Sequence, residues 1–299
     1  MAGRNSERQI VYAEEVYELL NDYKNTMNAY SIKVIEMLDD IQRRIRYKIF
    51  SISEEAWLKL ELTKMSGEIE NLLKNFNIEY NATLLNSLRD SAKSGINIVI
   101  EPMKNNLDVS LMFTEPSFFT PVFMDEAIRA TWNIASTNIV GVTEQVARNI
   151  ISEIMQGITI GDTRSSIVDK IAGQLGGEKL GFSTLNERAW TIFRTETSKM
   201  QSFATELQMR GVMEIIPEAE KVWHHGVWGI GQRPRPGHVA LDGVSVPMIE
   251  PFYNGNTGQS LMFPHDPNAP ASEVCNCGCA HSAKMPDESY LRSKTMVNV

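Results

Sequence analysis

Every histidine of this chain (His224, His225, His238, His265 and His281) and every cysteine (Cys275, Cys277 and Cys279) falls between Lys221 and His281. So do Pro234, Pro236, Pro247, Pro251, Pro264, Pro267 and Pro270, out of 12 prolines in 299 residues. A segment so rich in proline and turn residues cannot form long helices, because proline lacks the N–H and clashes with the preceding turn. The segment before it has the opposite character and reads as helix after helix. The sequence therefore predicts a mainly α protein: a long-helix N-terminal body with a smaller α+β C-terminal module. The expected divisions are a helical region at 1–119, a second helical region at 120–212, the Cys/His-rich module at 213–283 and a tail at 284–299.

Residues 7–50 carry no Gly or Pro and predict one long helix. Val16, Leu20, Tyr23, Met27, Tyr30, Val34, Met37 and Ile41 recur in alternating steps of four and three, a heptad seam. Such a seam pairs most simply with another helix of the same chain; a partner-binding or self-associating coil is the alternative use. Ser53 before Glu54 and Glu55 predicts a fresh helix start, and Asn81 another. Gly95, Pro102, Asn105-Asn106 and Pro116 predict a connecting loop over 94–119. Helices are expected at about 121–137, 142–157 and 162–175. Thr184 with Glu187 fits a capping box for a helix reaching about Arg210. On that helix Glu196 sits within the stripe Ala189, Phe193, Met200, Phe203 and Leu207. A carboxylate there needs a cation, with Arg233, Arg235 or a protonated His238 as candidates; Arg194 points elsewhere on the helix.

In the C-terminal module, 221–223 predict a strand, and Leu241-Asp242-Gly243 a turn into a second strand over 244–249. Cys275, Cys277 and Cys279 alternate, so an extended chain would project all three from one face. Tetrahedral zinc wants four Cys or His ligands. Cys277 and Cys279 with His238, His265 or His281 could supply them, although Cys-x-Cys is tighter than the usual pair. Buried thiols packed beneath the proline-rich loop account for the run more simply. A Cys–His–Asp nucleophilic set and a metal nuclease built on His224, His225 and Asp242 can both be written, but neither has a local signature that fixes geometry. No catalytic residue is assigned.

The net charge of −8 argues against a surface built to grip nucleic acid. The dense basic run from Arg43 to Lys48 is interrupted by Ile45 on the apolar stripe, so it reads as a solvated helix face. No stretch reaches the roughly eighteen apolar residues of a membrane span, and the first residues show no secretory signal. Synthesis in the cytoplasm is expected.

One ordered set of features remains. Arg194-Thr195-Glu196-Thr197 is followed by Gly211-Val212, by Lys221 and Trp223, by Arg235 to His238, and by Leu241-Asp242-Gly243. Pro247, Phe252, Phe263-Pro264, Asp266-Pro267, Pro270 and Asn276-Cys277-Gly278-Cys279 close the order. This resembles the phage head morphogenesis family, the Mu F-like minor head proteins of tailed bacteriophages, over roughly residues 142–281. Gly278 stands where that family usually has a basic residue, and Gly231-Gln232-Arg233 lacks the acidic residue often found there.

The resemblance implies a non-enzymatic structural protein of the virion, a minor head protein present in several copies. Its expected partners are the portal protein, the major capsid protein and packaged DNA, in head morphogenesis and DNA packaging or delivery. Arg194, Glu196, Arg235, His238 and Asp242 are then expected to form a structural network, with Cys277, Cys279 and His238 as the zinc candidates. A virion-interior hydrolase acting through His238 and Asp242, and an internal DNA-binding protein, are the alternatives.

Overall fold

The structure, a computed structural model, describes residues 2–51, 61–106, 121–176, 184–227 and 234–284. It is mainly α, with a small strand-containing C-terminal region. Four long helices dominate: α1 (Ala2–Phe50), α2 (Glu61–Asn106), α3 (Pro121–Ile160) and, after the short α4 (Arg164–Gly176), α5 (Leu185–Ile215). Strand β1 (Glu220–His224), helix α6 (Pro236–Ala240), strands β2 (Ser245–Pro247), β3 (Phe252–Asn254) and β4 (Gln259–Leu261), helix α7 (Ala271–Val274) and β5 (Ala280–Ala283) complete the order.

The helices are longer than local signals predict. The loop expected from residue 94 is instead the end of α2, which carries Pro102 inside it and runs to Asn106. Proline there forgoes the hydrogen bond to the Ile98 carbonyl, and the helix ends four residues later. The expected start at Asn81 is likewise mid-helix, and α3 runs unbroken through the gap expected between 137 and 142. Gly95 marks a close approach of two helices. A side chain there would collide with the Gln201 carbonyl, and the Thr205 hydroxyl donates to the Gly95 carbonyl at 3.2 Å. The expected cap at Ser53, the remainder of the 94–119 loop, Arg233 and most of the tail lie outside the described residues.

The chain forms two compact units, and these do not follow the divisions expected at 119 and 212. One holds Met1–Ala29, Ser87–Arg129 and Arg194–Val299; the other holds Tyr30–Asn86 and Ala130–Phe193. In the second unit the buried positions of α1 include Val34, Leu38, Ile41, Ile45 and Ile49, with Leu38 more buried than the expected Met37. The stripe thus drifts from a strict heptad, as a straight helix of 3.6 residues per turn requires. Polar groups in this unit end on backbone. Tyr80 donates to the Ala189 carbonyl at 2.6 Å, and the Trp132 indole to that of Asn81 at 3.0 Å. Thr184 caps α5 by accepting from the Glu187 N–H at 3.3 Å. On the exposed face, Arg43 and Arg44 both pair with Asp40, at 3.4 and 2.6 Å, so that part of the basic run is neutralised locally.

In the first unit α1 and α2 run antiparallel. Asn106 donates to Glu15 at 2.9 Å, and the Ser91 hydroxyl meets the Met27 sulfur at 3.6 Å. The seam is therefore used within the chain. A three-stranded antiparallel sheet, in the order β2-β1-β5, belongs to this unit. Alternation along β1 puts Lys221 and Trp223 on one face and His224 on the other. His224 packs edge-on against Tyr17 of α1 at 5.8 Å. Trp223 joins Leu241, Phe252, Leu261, Cys277 and Cys279 in a separate hydrophobic core. The turn from β1 toward β2 carries Gly243 at φ 75°, a left-handed position that glycine takes without strain.

Candidate metal centre

His238 reaches the core because Pro236 opens the short α6 at a position where proline is tolerated. The helix can approach so closely because residue 237 is glycine; a Cβ there would run into the Asn254 amide. The imidazole then lies edge-on against Trp223, with ring centres 5.3 Å apart, and is 2% exposed. Its Nε2 is 2.7 Å from Glu273 Oε2, and Asn254 donates to the same oxygen at 3.2 Å. An ionised carboxylate only accepts, so this contact holds a proton on Nε2 and leaves Nδ1 free to present its lone pair. Nδ1 faces two sulfurs: Cys277 Sγ at 3.4 Å and Cys279 Sγ at 3.7 Å.

The cysteines arrive by a different backbone path from the one their alternation suggests. Cys275 ends α7, and Asn276 then adopts φ 54°. That turn breaks the extended register, so Cys275 is only half-buried while Cys277 and Cys279 are 1% and 3% exposed. Asn276 is among the residues that take left-handed angles most readily. Its N–H donates to the Thr195 hydroxyl at 3.1 Å, tying the turn to α5. Arg235 secures the same turn by donating to the Cys275 carbonyl at 2.5 Å.

Two buried thiols side by side share protons unequally. The hydrogen bond from Cys279 draws the Cys277 thiol well below its usual pKa against the opposing effect of burial, helped by His265 and His238. The same bond, with burial, pushes Cys279 well above it. Arg194 contributes a buried cation facing this pair; burial lowers its pKa to about 10, and the Cys277 charge opposes that. At neutral pH the guanidinium is charged, and the downward shift at Cys277 favours its thiolate, the form that binds metal. Burial lowers the pKa of His238, but Cys277 and Glu273 outweigh it and the net shift is upward.

His238, Cys277 and Cys279 each offer one ligand atom, and these atoms lie within 4.8 Å of one another, so the three could hold a metal ion. Of the other residues expected in the network, Arg194 and Arg235 are at the site, but Glu196 and Asp242 have different partners. Glu196 is only half-buried and pairs with Lys199 of its own helix at 3.0 Å. The cation expected opposite it from the C-terminal module is not what it uses; α5 turns Arg194, not Glu196, into the core. Asp242 is exposed and accepts from the His225 N–H at 2.8 Å. The carboxylate that orients His238 is Glu273, which the sequence reading did not single out. Its spacing from the cysteines could have suggested it, but only a fold that returns α7 to α6 makes the pair.

A second buried polar group surrounds the first. Lys221, 0% exposed, donates to the Met262 carbonyl at 2.5 Å and sits 5.6 Å above the Phe252 ring. His281 Nε2 is 3.6 Å from Glu206 Oε2, and its ring stacks on Phe263. Burial raises the Glu206 pKa, but His281, Lys221 and Arg210 more than offset it, holding the carboxylate below its usual range. Asp266 accepts from the Met262 and Asn268 N–H groups, both at 2.8 Å, fixing the loop that carries His265.

Comparison with known proteins adds little to this geometry. No family model matches the chain, and no solved structure matches it. A stretch of 96 residues, 32% of this chain, is 32% identical to the uncharacterized protein YqbB of Bacillus subtilis (strain 168). That match covers 30% of YqbB. Among the described residues, no helix is long and apolar enough to cross a membrane.

Proposed function

We propose that this chain is a minor head protein of a tailed phage, acting through the surfaces of its helices, with its C-terminal module as a zinc-stapled structural element. One observation carries the reading. The residues behind the resemblance are far apart in sequence, yet several of them meet at one buried point. Thr195 holds the Asn276 turn, Arg235 holds the Cys275 carbonyl, the buried Arg194 is coupled electrostatically to Cys277, and His238 faces both sulfurs. An ordered motif with that convergence behaves as a structural signature. A loop-borne catalytic set would instead present its groups to solvent or to a pocket. Zinc suits the donor set, since two thiolates and an imidazole are its ordinary ligands. Bonds of about 2.3 Å to sulfur and about 2.0 Å to nitrogen, at tetrahedral angles, put S and N about 3.5 Å apart. The two S···N separations of 3.4 and 3.7 Å straddle that value.

The hydrolase alternative through His238 and Asp242 loses its geometry, because the two residues serve different partners. The test is protein mass spectrometry of purified heads from cells that make the protein, beside co-purification with the portal. The expected result is a few copies of this chain per head and retention on the portal. A chain abundant in the lysate but missing from purified heads would overturn the reading.

A further inference from the structure

We infer that His265 is the fourth ligand of a closed Cys2His2 zinc site with His238, Cys277 and Cys279, an inference that rests on the zinc reading above. Four features converge on it. His265 is 4% exposed, yet among the described residues neither ring nitrogen makes a hydrogen bond of ordinary geometry. Burying an imidazole in that state is unfavourable, so the position demands something the protein atoms do not supply. The backbone at His265 adopts φ 65°, a left-handed conformation uncommon for a residue with a side chain. Asp266 holds the loop in that conformation through its two backbone contacts, and the result is a histidine delivered inward. Third, His265 stands beside Cys277, close enough to act on that thiol directly.

The fourth feature is the engagement of the other candidates. Among the described residues His281 makes no hydrogen bond of ordinary geometry either, but its Nε2 lies 3.6 Å from Glu206 Oε2 and its ring stacks on Phe263. Glu273 is committed to His238 and Asn254. Cys275 is only half-buried, on the far side of the Asn276 turn. His265 lies outside the group of three whose ligand atoms are mutually within 4.8 Å, so ligation requires its ring to move toward them. With four protein ligands no position is left open for water, and the site is structural: it lacks the vacancy that a zinc hydrolase uses to activate its nucleophile. Glu273 positions His238 in the way carboxylates commonly orient metal-bound imidazoles.

The full-length protein, loaded with Zn2+ or Co2+, tests this through metal content, affinity by chelator competition, and the visible spectrum of the cobalt form. The wild type should hold one metal per chain and give the intense d–d bands of a tetrahedral site beside a thiolate charge-transfer band. His265→Ala should weaken binding by at least the roughly ten- to hundredfold that loss of an outer-shell partner causes and lower the d–d intensity as water enters. His265→Cys should retain the metal, with a stronger charge-transfer band and d–d bands moved to longer wavelength. His281→Ala should leave the spectrum unchanged. A His265→Ala protein that binds cobalt with wild-type affinity and spectrum overturns the fourth ligand and leaves the three-residue zinc reading standing, as does a spectrum that changes only in His281→Ala. A wild type that takes up neither metal overturns both.

Discussion

The unit built from residues 30–86 and 130–193 and the Cys/His-rich module solve burial in opposite ways. In the first, the interior is Val34, Leu38, Ile45, Ile69, Leu84 and others like them, and polar groups end on nearby carbonyls. In the module, the interior holds Lys221, His238, His265, Glu273 and His281, each less than a tenth exposed. Apolar burial is non-directional and spread over many contacts, so no single contact decides it. A buried charge or imidazole needs one particular partner in one particular place. The helical unit should therefore fail gradually, and the module abruptly, when a single group is removed.

Metal removal sharpens this contrast most. Structural zinc contributes on the order of 10 kcal/mol to the folding of small metal-dependent modules. Chelation should therefore release the amides of β1 and β5 to hydrogen exchange while those of residues 34–49 keep their protection. Equal loss of protection in both regions, or no change in either, would contradict a staple confined to the module.

The same contrast explains what could be read from the sequence. Apolar periodicity is a property of local sequence, so the long helices and the mainly α class were legible, as was the Thr184 cap. Their ends were not: Pro102 and Gly95 carry the ordinary marks of a breaker, and only contact with Gln201 and Thr205 shows that Gly95 serves helix packing. At the site, His238, Cys277 and Cys279 were legible as chemistry. Glu273 was not, because its role depends on α7 returning to α6. Glu196 misled because a stripe read from spacing cannot show which side of α5 meets the module, and Arg194 is the residue turned inward. Cys275 misled because alternation assumes an extended chain, and Asn276 turns it.

Arg194 offers the next largest effect. Removing one partner of a buried charge pair costs about 3–5 kcal/mol, so Arg194→Met should lower urea-unfolding stability by that much and weaken metal retention as Cys277 loses its cation. In the helical unit the corresponding substitution is Leu84→Ala, at a fully buried position. It should cost about 3 kcal/mol through lost transfer energy and the cavity left behind, with metal content unchanged. If Leu84→Ala released the metal, or Arg194→Met left both stability and metal unaltered, the distinction between generic and specific burial would not hold.

The smallest effect concerns pH. His224 packs between Tyr17 and Ser282 on the α1-facing side of the sheet, with Nε2 2.7 Å from Ser282 Oγ. Burial lowers its pKa to about 4; Asp242 opposes the shift and His281 adds to it. In the unfolded chain the same group titrates near 6.5. Between about pH 4 and 6.5 the unfolded state therefore binds more protons than the folded state, and stability falls as pH falls through that window. Above pH 6.5 His224 is neutral in both states and contributes no slope. At pH 5 the loss from this one group is about 2 kcal/mol relative to pH 7. His224→Gln keeps an amide that can reach Ser282 but cannot be protonated, so its stability should fall less between pH 7 and 5, by about that amount. Comparing the two curves cancels the acid sensitivity of the metal ligands, which both proteins share. Parallel curves would mean that His224 gains its proton without leaving the fold, and that this face of the sheet admits a charge which the Trp223 face holds only with a partner.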